Sequence, residues 1–307
     1  MPRSFLRALC LLSLLVFGES AGAAEPAPAG SPVVLPAARQ FDLQAQHGGY
    51  RYRIFLSVPD APPPAAGYPV LYVLDGNAAF PVAAFLARGA AGRREVTGLA
   101  APLVVGIGYP VAGDFDVEAR RRDYTVGAQE SDARDGGAQA GGADRFLDFI
   151  ERELKPMVAA TYPVDARRQA LFGHSFGGLL VLQALFTRPA GFTTYLASSP
   201  SIWWQDRRVL AGLPGLFAAT RGQVPPRLQI SVGALEDQIG KGNYSPEVLA
   251  MLAKRPMVSE ARSLAARFKA EPGWAERVAY LELEGEDHGP AWLPAMTRGM
   301  QFFLAQP

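Results

Sequence analysis

Cysteine and histidine are scarce: one cysteine and three histidines in 307 residues. The single cysteine, Cys10, lies in an N-terminal apolar stretch, so a disulfide framework and a cysteine-based metal cluster are both excluded. The histidines, His47, His174 and His288, are far apart and form no pair at metal-ligand spacing. No metal site is expected. Charge of either sign is not in excess: 30 basic against 29 acidic residues leave a net charge of +1. That gives no general attraction to nucleic acid or acidic membranes, so electrostatic recognition must be local. There is no Walker loop, and Gly106-Ile107-Gly108 runs into Tyr109-Pro110 without the third glycine of a dinucleotide fingerprint. No cofactor is expected.

Long apolar runs are also missing. The apolar stretch Ala8 to Phe17, ten residues, falls short of the roughly 20 that span a bilayer. Arg3 and Arg7 precede it, and Ala21-Gly22-Ala23 follows as a small-residue cleavage site. Residues 1–24 therefore read as a cleavable secretory signal peptide, with a periplasmic or secreted product. Arg7-Ala8-Leu9 ahead of Cys10 is not a lipobox, so no membrane anchor is expected and the mature chain has no cysteine. Residues 25–37, rich in Pro, Ala and Gly, read as a flexible leader. The rest, 38–307, reads as one domain. A composition of 49% hydrophobic and 19% charged residues suits a soluble protein with a large core.

Along that domain, Phe41–Ala45 and Tyr50–Leu56 alternate around His47-Gly48-Gly49, as an antiparallel hairpin does. Pro69–Leu74 and Leu103–Ile107 are continuous apolar runs suited to parallel strands covered on both faces. A helix over Ala78–Arg88 separates them. Arg120-Arg121-Arg122-Asp123-Tyr124-Thr125 is a charge cluster, and Val126–Ala143 has no apolar period and reads as an insert. Asp144 is placed to cap a helix whose Phe146, Leu147, Ile150, Leu154 and Val158 share one face. Strands follow at 169–172, 192–198, 227–232 and 278–283, and helices at 179–186, 259–269 and 292–304. Strands alternating with helices after an opening hairpin predict a mostly parallel sheet wrapped by helices.

Chemistry concentrates in Gly173-His174-Ser175-Phe176-Gly177, which fits G-x-S-x-G between a buried strand and a buried helix. Ser175 is the candidate nucleophile. Its base must be a histidine later in the chain, and only His288 follows it, in the loop after the last strand. His174 is expected to point away and pack the turn, and His47 to be exposed. An acid is expected after strand 227–232; Glu236 ranks first, three residues past Gly233, with Asp237 and Glu286 as alternatives. A Ser–His dyad without an acid stays open. An oxyanion hole needs two N–H donors. Phe176, after the nucleophile, supplies one, and Asn77, in the loop after Pro69–Leu74, the other.

Several stretches in order extend the pattern: Leu74-Asp75-Gly76-Asn77-Ala78, Arg122-Asp123-Tyr124-Thr125 and Gly141-Gly142-Ala143-Asp144-Arg145-Phe146, then the Ser175 motif. Ser199-Pro200-Ser201-Ile202-Trp203-Trp204, Val232-Gly233-Ala234-Leu235-Glu236 and Glu286-Asp287-His288-Gly289 complete it. With these the chain resembles the esterase-D-like "putative esterase" branch of α/β hydrolases, and within it the periplasmic trilactone esterases of enterobactin and salmochelin. The resemblance implies an α/β-hydrolase fold, a seryl acyl-enzyme and a ferric catecholate ester substrate. Where the family often has Thr-Pro, Thr125 is followed by Val126. A trianionic aromatic substrate calls for cations and apolar faces, which points to Arg122, Tyr124 and Trp203 as substrate-binding residues. Two other functions fit the same residues: a general exported acyl or feruloyl esterase, and a catalytically silent siderophore-binding protein.

Overall fold

The computed structural model describes residues 30, 31, 33–127, 140–238 and 245–305. The expected signal peptide and most of the leader lie outside the described residues, as does most of the insert, 128–139. Leu35–Pro307 forms one compact unit; of the segment before it, Val33 and Val34 are exposed.

Eight strands make one sheet: β1 (Ala38–Gln44), β2 (Arg51–Ser57), β3 (Tyr68–Leu74), β4 (Leu103–Gly108), β5 (Val164–His174), β6 (Thr194–Ser198), β7 (Arg227–Gly233) and β8 (Val278–Leu283). Their order is β1-β2-β4-β3-β5-β6-β7-β8. β1 and β2 pair antiparallel, β2 meets β4 antiparallel, and every later pairing is parallel. The helices described are α1 (Gly76–Gly92), α2 (Arg94–Thr97), α3 (Val117–Tyr124), α4 (Ala143–Phe149), α5 (Lys155–Thr161), α6 (Phe176–Thr187), α7 (Trp204–Arg207), α8 (Leu213–Thr220), α9 (Pro246–Leu252), α10 (Met257–Ala270) and α11 (Trp292–Leu304).

The period of two along a strand divides the core. Val70, Tyr72 and Leu74 of β3 face the layer holding α4, α6, α8 and α10, whereas Leu71 and Val73 face α1 and α11. Side chains of this size, wholly buried, each stabilise the fold by about 1.5–3 kcal/mol relative to exposure. Helix α6 is apolar all round: Leu179, Leu180, Val181, Leu182 and Leu185 have no exposed surface, as a helix laid against the sheet and covered by others requires. The chain order reverses at β3, with β4 on one side and β5 on the other. Ligands of such sheets bind beyond the carboxyl ends of the strands at that reversal. The nucleophile motif stands there.

Two local expectations are corrected. The Arg120–Tyr124 cluster belongs to helix α3, begun by Asp116, whose side chain accepts from Ala119 N at 3.0 Å. Consecutive charges hid the helix, in which Arg120 meets Asp75 from the end of β3 and Arg122 meets its own neighbour Asp123. Asp144 caps nothing: α4 begins at Ala143, and Asp144 accepts from Gln183 Nε2 at 3.1 Å, tying α4 to α6. The insert has closed ends. Gly141 N donates to Thr125 Oγ1 at 3.0 Å and Gly142 N to Arg122 O at 2.8 Å.

Candidate active site

Ser175 sits between β5 and α6 with φ 61° and ψ −118°, a backbone region that costs a non-glycine residue about 1–3 kcal/mol. The neighbouring strand holds it there. Ser175 N donates to Ser198 O at 3.0 Å, and Ser201 N donates to Ser175 O at 3.2 Å. Gly173 is required by space, since a Cβ on it would lie 2.3 Å from Gly177 O. The turn thus lifts Oγ above the sheet at the N-terminus of α6, where the N–H of Phe176 has no intrahelical acceptor. The dipole end of α6 adds partial positive charge at the same place.

His288 Nε2 lies 3.0 Å from Ser175 Oγ, and His288 Nδ1 lies 2.6 Å from Glu236 Oε2. Of the three carboxylates the sequence offered, Glu236 is the one on the histidine. Its other oxygen, Oε1, accepts from Ser199 Oγ at 2.6 Å and Gly233 N at 2.7 Å. The Glu236 side chain is 1% exposed and His288 45%, so the acid is sealed under a histidine that solvent and substrate can reach. Asp237 instead accepts from Val258 N and Ser259 N, both at 3.0 Å, at the start of α10. Glu286 contributes its backbone, its carbonyl accepting from Leu235 N at 3.0 Å. With Ala234 N on Leu283 O at 3.0 Å, that bond staples the acid turn to the histidine loop.

Sequence reasoning placed His174 away from the site. The structure packs it against the base: the two imidazole centres are 4.8 Å apart, and His174 Nδ1 lies 3.0 Å from Ser198 Oγ. Desolvation, helped by nearby His288 and Arg120, holds His174 well below the usual histidine pKa, so it is neutral. Its position beside Ser175 in the motif was the only available signal.

Asn77, in the first turn of α1, uses its side chain on the loop after β4. The amide donates to Tyr109 O at 3.0 Å and Val111 O at 3.3 Å, and accepts from Tyr109 N at 2.9 Å. Its backbone N–H, at the second position of α1, has no intrahelical acceptor. Asp75 precedes the helix in a left-handed conformation (φ 55°), bound through both oxygens by Arg120 at 2.6 and 3.1 Å.

The substrate-binding assignments change. Tyr124 has no exposed surface; its hydroxyl accepts from Asp75 N at 3.2 Å, so it is a core residue. Arg122 is committed too, with two bonds of 2.9 and 2.7 Å to buried Asp123 and its guanidinium 4.0 Å from the centre of the Tyr50 ring. Arg121 lies over Trp204, 5.7 Å from the ring centre. Only Trp203 of the expected set stands beside the nucleophile turn, half-buried, with its ring 6.1 Å from that of Phe176.

Comparison with known proteins agrees with this architecture. A family model described as putative esterase matches residues 46–301. The ferri-bacillibactin esterase BesA of Bacillus subtilis is 35% identical over 269 residues, covering 85% of this chain and 88% of the relative. The siderophore triacetylfusarinine C esterase of Aspergillus fumigatus is 36% identical over 291 residues, covering 89% and 95%. Among solved structures, the BES protein from Bacillus cereus superposes with a TM-score of 0.78 at 32% identity, covering 91% of this chain and 100% of the other. With its eight-stranded hydrolase sheet and a serine at the strand-to-helix turn, the chain belongs to the putative-esterase family of α/β hydrolases.

Proposed function

We propose that the protein is an exported serine esterase that opens ester (lactone) bonds of ferric catecholate siderophores through a seryl acyl-enzyme. The observation that carries this reading is the continuous relay from Ser175 through His288 to Glu236. A serine hydroxyl becomes an effective nucleophile when a positioned base takes its proton. Here Oγ attacks the ester carbon as its proton passes to His288 Nε2, and the carbonyl π pair moves onto oxygen. The oxyanion is met by the N–H of Phe176 and, from the first turn of α1, the N–H of Asn77. His288 then gives the proton to the leaving alkoxide as the C–O bond breaks. Water repeats the sequence, releasing the acid and restoring Ser175. Glu236, accepting from Nδ1–H, fixes the tautomer and stabilises the imidazolium.

Siderophore esters as substrates are supported by relatives named as esterases of ferri-bacillibactin and of triacetylfusarinine C. The test is incubation with ferric and iron-free enterobactin, with products read by mass spectrometry; linear ring-opened products are expected. Hydrolysis of aryl or feruloyl esters alone would make this a general acyl esterase. Binding without hydrolysis of any ester would make it a silent siderophore-binding protein. Export is supported by the N-terminal signal pattern. Mass spectrometry of the protein recovered from the periplasm or medium should find residues 1–24 removed, and an unprocessed chain would overturn it.

A further inference from the structure

The arginines near the site are mostly neutralised. Arg120 is held by Asp75, Arg122 and Arg145 by Asp123, and Arg207 by Glu260. Arg255 differs. It lies between α9 and α10 with its guanidinium 4.3 Å from the centre of the Trp203 ring, and among the described residues no carboxylate lies within 4.0 Å of it. It is half-buried, and desolvation holds its pKa below the usual arginine value. A cation drawn out of water without a counter-ion favours the arrival of an anion.

Trp203 ties this cation to the chemistry. Its ring packs on Phe176, the residue after the nucleophile, and on Trp204 at 6.0 Å. Trp204 is anchored in turn by its Nε1, which donates to Val126 O at 3.1 Å. A guanidinium lying on an indole keeps its N–H donors at the edge of its own plane, free to grip an oxygen anion. We propose that Arg255, carried on the indole of Trp203, is the specificity-determining cation of this site and selects esters whose acyl side bears an anionic aromatic ring. It takes the role the sequence suggested for Arg122. The inference rests on the serine-esterase reading above, and its test is built to separate the two.

Wild type, Arg255→Gln and Arg255→Lys are compared on the para-nitrophenyl monoester of terephthalic acid, which carries one free carboxylate, and on the uncharged ester of toluic acid. Arg255→Gln should lower the ratio of the two kcat/KM values at least ~10-fold, and Arg255→Lys should retain part of it. The wild-type ratio should also fall as salt rises from ~0.05 to ~0.5 M, while thermal melts establish that each variant is folded. Equal losses on both esters, or an unchanged ratio, overturn the proposal; should the Gln variant not fold, the Lys variant and the wild-type salt series decide. Calorimetric titration with dihydroxybenzoate and its uncharged amide gives a reading without turnover. If wild type hydrolyses neither these esters nor enterobactin, the esterase reading falls. Arg255 is then judged by binding: dihydroxybenzoate held no more tightly by wild type than by Arg255→Gln overturns it.

Discussion

Glu236 meets His288 Nδ1 at 2.6 Å with one carboxylate oxygen while the other is held by Ser199 and Gly233, so the acid cannot rotate away from the base without losing two further bonds. Each of those partners lies at or just beyond the carboxyl end of β6 or β7. The parallel sheet itself therefore aims the carboxylate.

Removing that carboxylate should be costly. Glu236→Gln should lower ester hydrolysis by ~10²–10⁴-fold, the range expected when the acid of a triad is lost. Asp237→Ala should leave the rate nearly intact and destabilise the fold by ~0.5–2 kcal/mol, because Asp237 serves the first N–H groups of α10. Steady-state kinetics and urea melts of both variants separate the roles. The reverse pattern would move the acid to Asp237.

Ser175→Ala should fold normally and lose more than ~10³-fold in hydrolysis, and His288→Ala should match it. Combining the two should add little, since base and nucleophile act on one proton. A large further loss in the double variant would mean that they act independently.

Arg122→Gln is expected to act on stability rather than on recognition. It breaks the pair with buried Asp123, leaving Arg145 Nη2 at 3.3 Å and the Tyr109 hydroxyl at 3.4 Å as its partners. The loss should be about 1.5–3 kcal/mol, that of a hydrogen bond to a charged group. Activity at low temperature should fall equally for charged and neutral esters. A selective loss on the charged ester would return Arg122 to the substrate.

Stability should depend on pH through His174. Its folded pKa lies well below 6.5, so the unfolded chain binds the proton first as pH falls. The contribution is complete above about pH 6.5 and is lost progressively toward the folded pKa. Besides Ser198, the ring faces His288 and Arg120, and Arg120 is bound to Asp75. Chemical denaturation at pH 7.5 and 5.5 should show wild type losing more stability than His174→Phe. Parallel losses would mean that His174 titrates alike in both states.

The strand-turn-helix at Ser175 was legible because local constraints and function coincide there. Small residues flank a strained serine, an apolar strand runs in and an apolar helix runs out. The order of Ser175, Glu236 and His288 was legible for a similar reason: each follows a strand of strong apolar pattern, and chain order is kept in the sheet from β5 to β8. A histidine or carboxylate in such a loop has few places to go.

What the sequence could not determine is which charged side chain each arginine meets. The residues that neutralise Arg120 and Arg207 lie 45 and 53 positions away, and Arg122 is bound by its own neighbour. From the string alone, Arg120, Arg121 and Arg122 looked like the available cations, and Arg255 carried no signal at all. Folding reversed this, burying carboxylates beside the clustered arginines and setting Arg255 on Trp203. Local sequence determines backbone turns and strand ends, whose energetics are settled within a few residues. Charge pairing and ring packing depend on distances across the fold, and only the tertiary structure decided those.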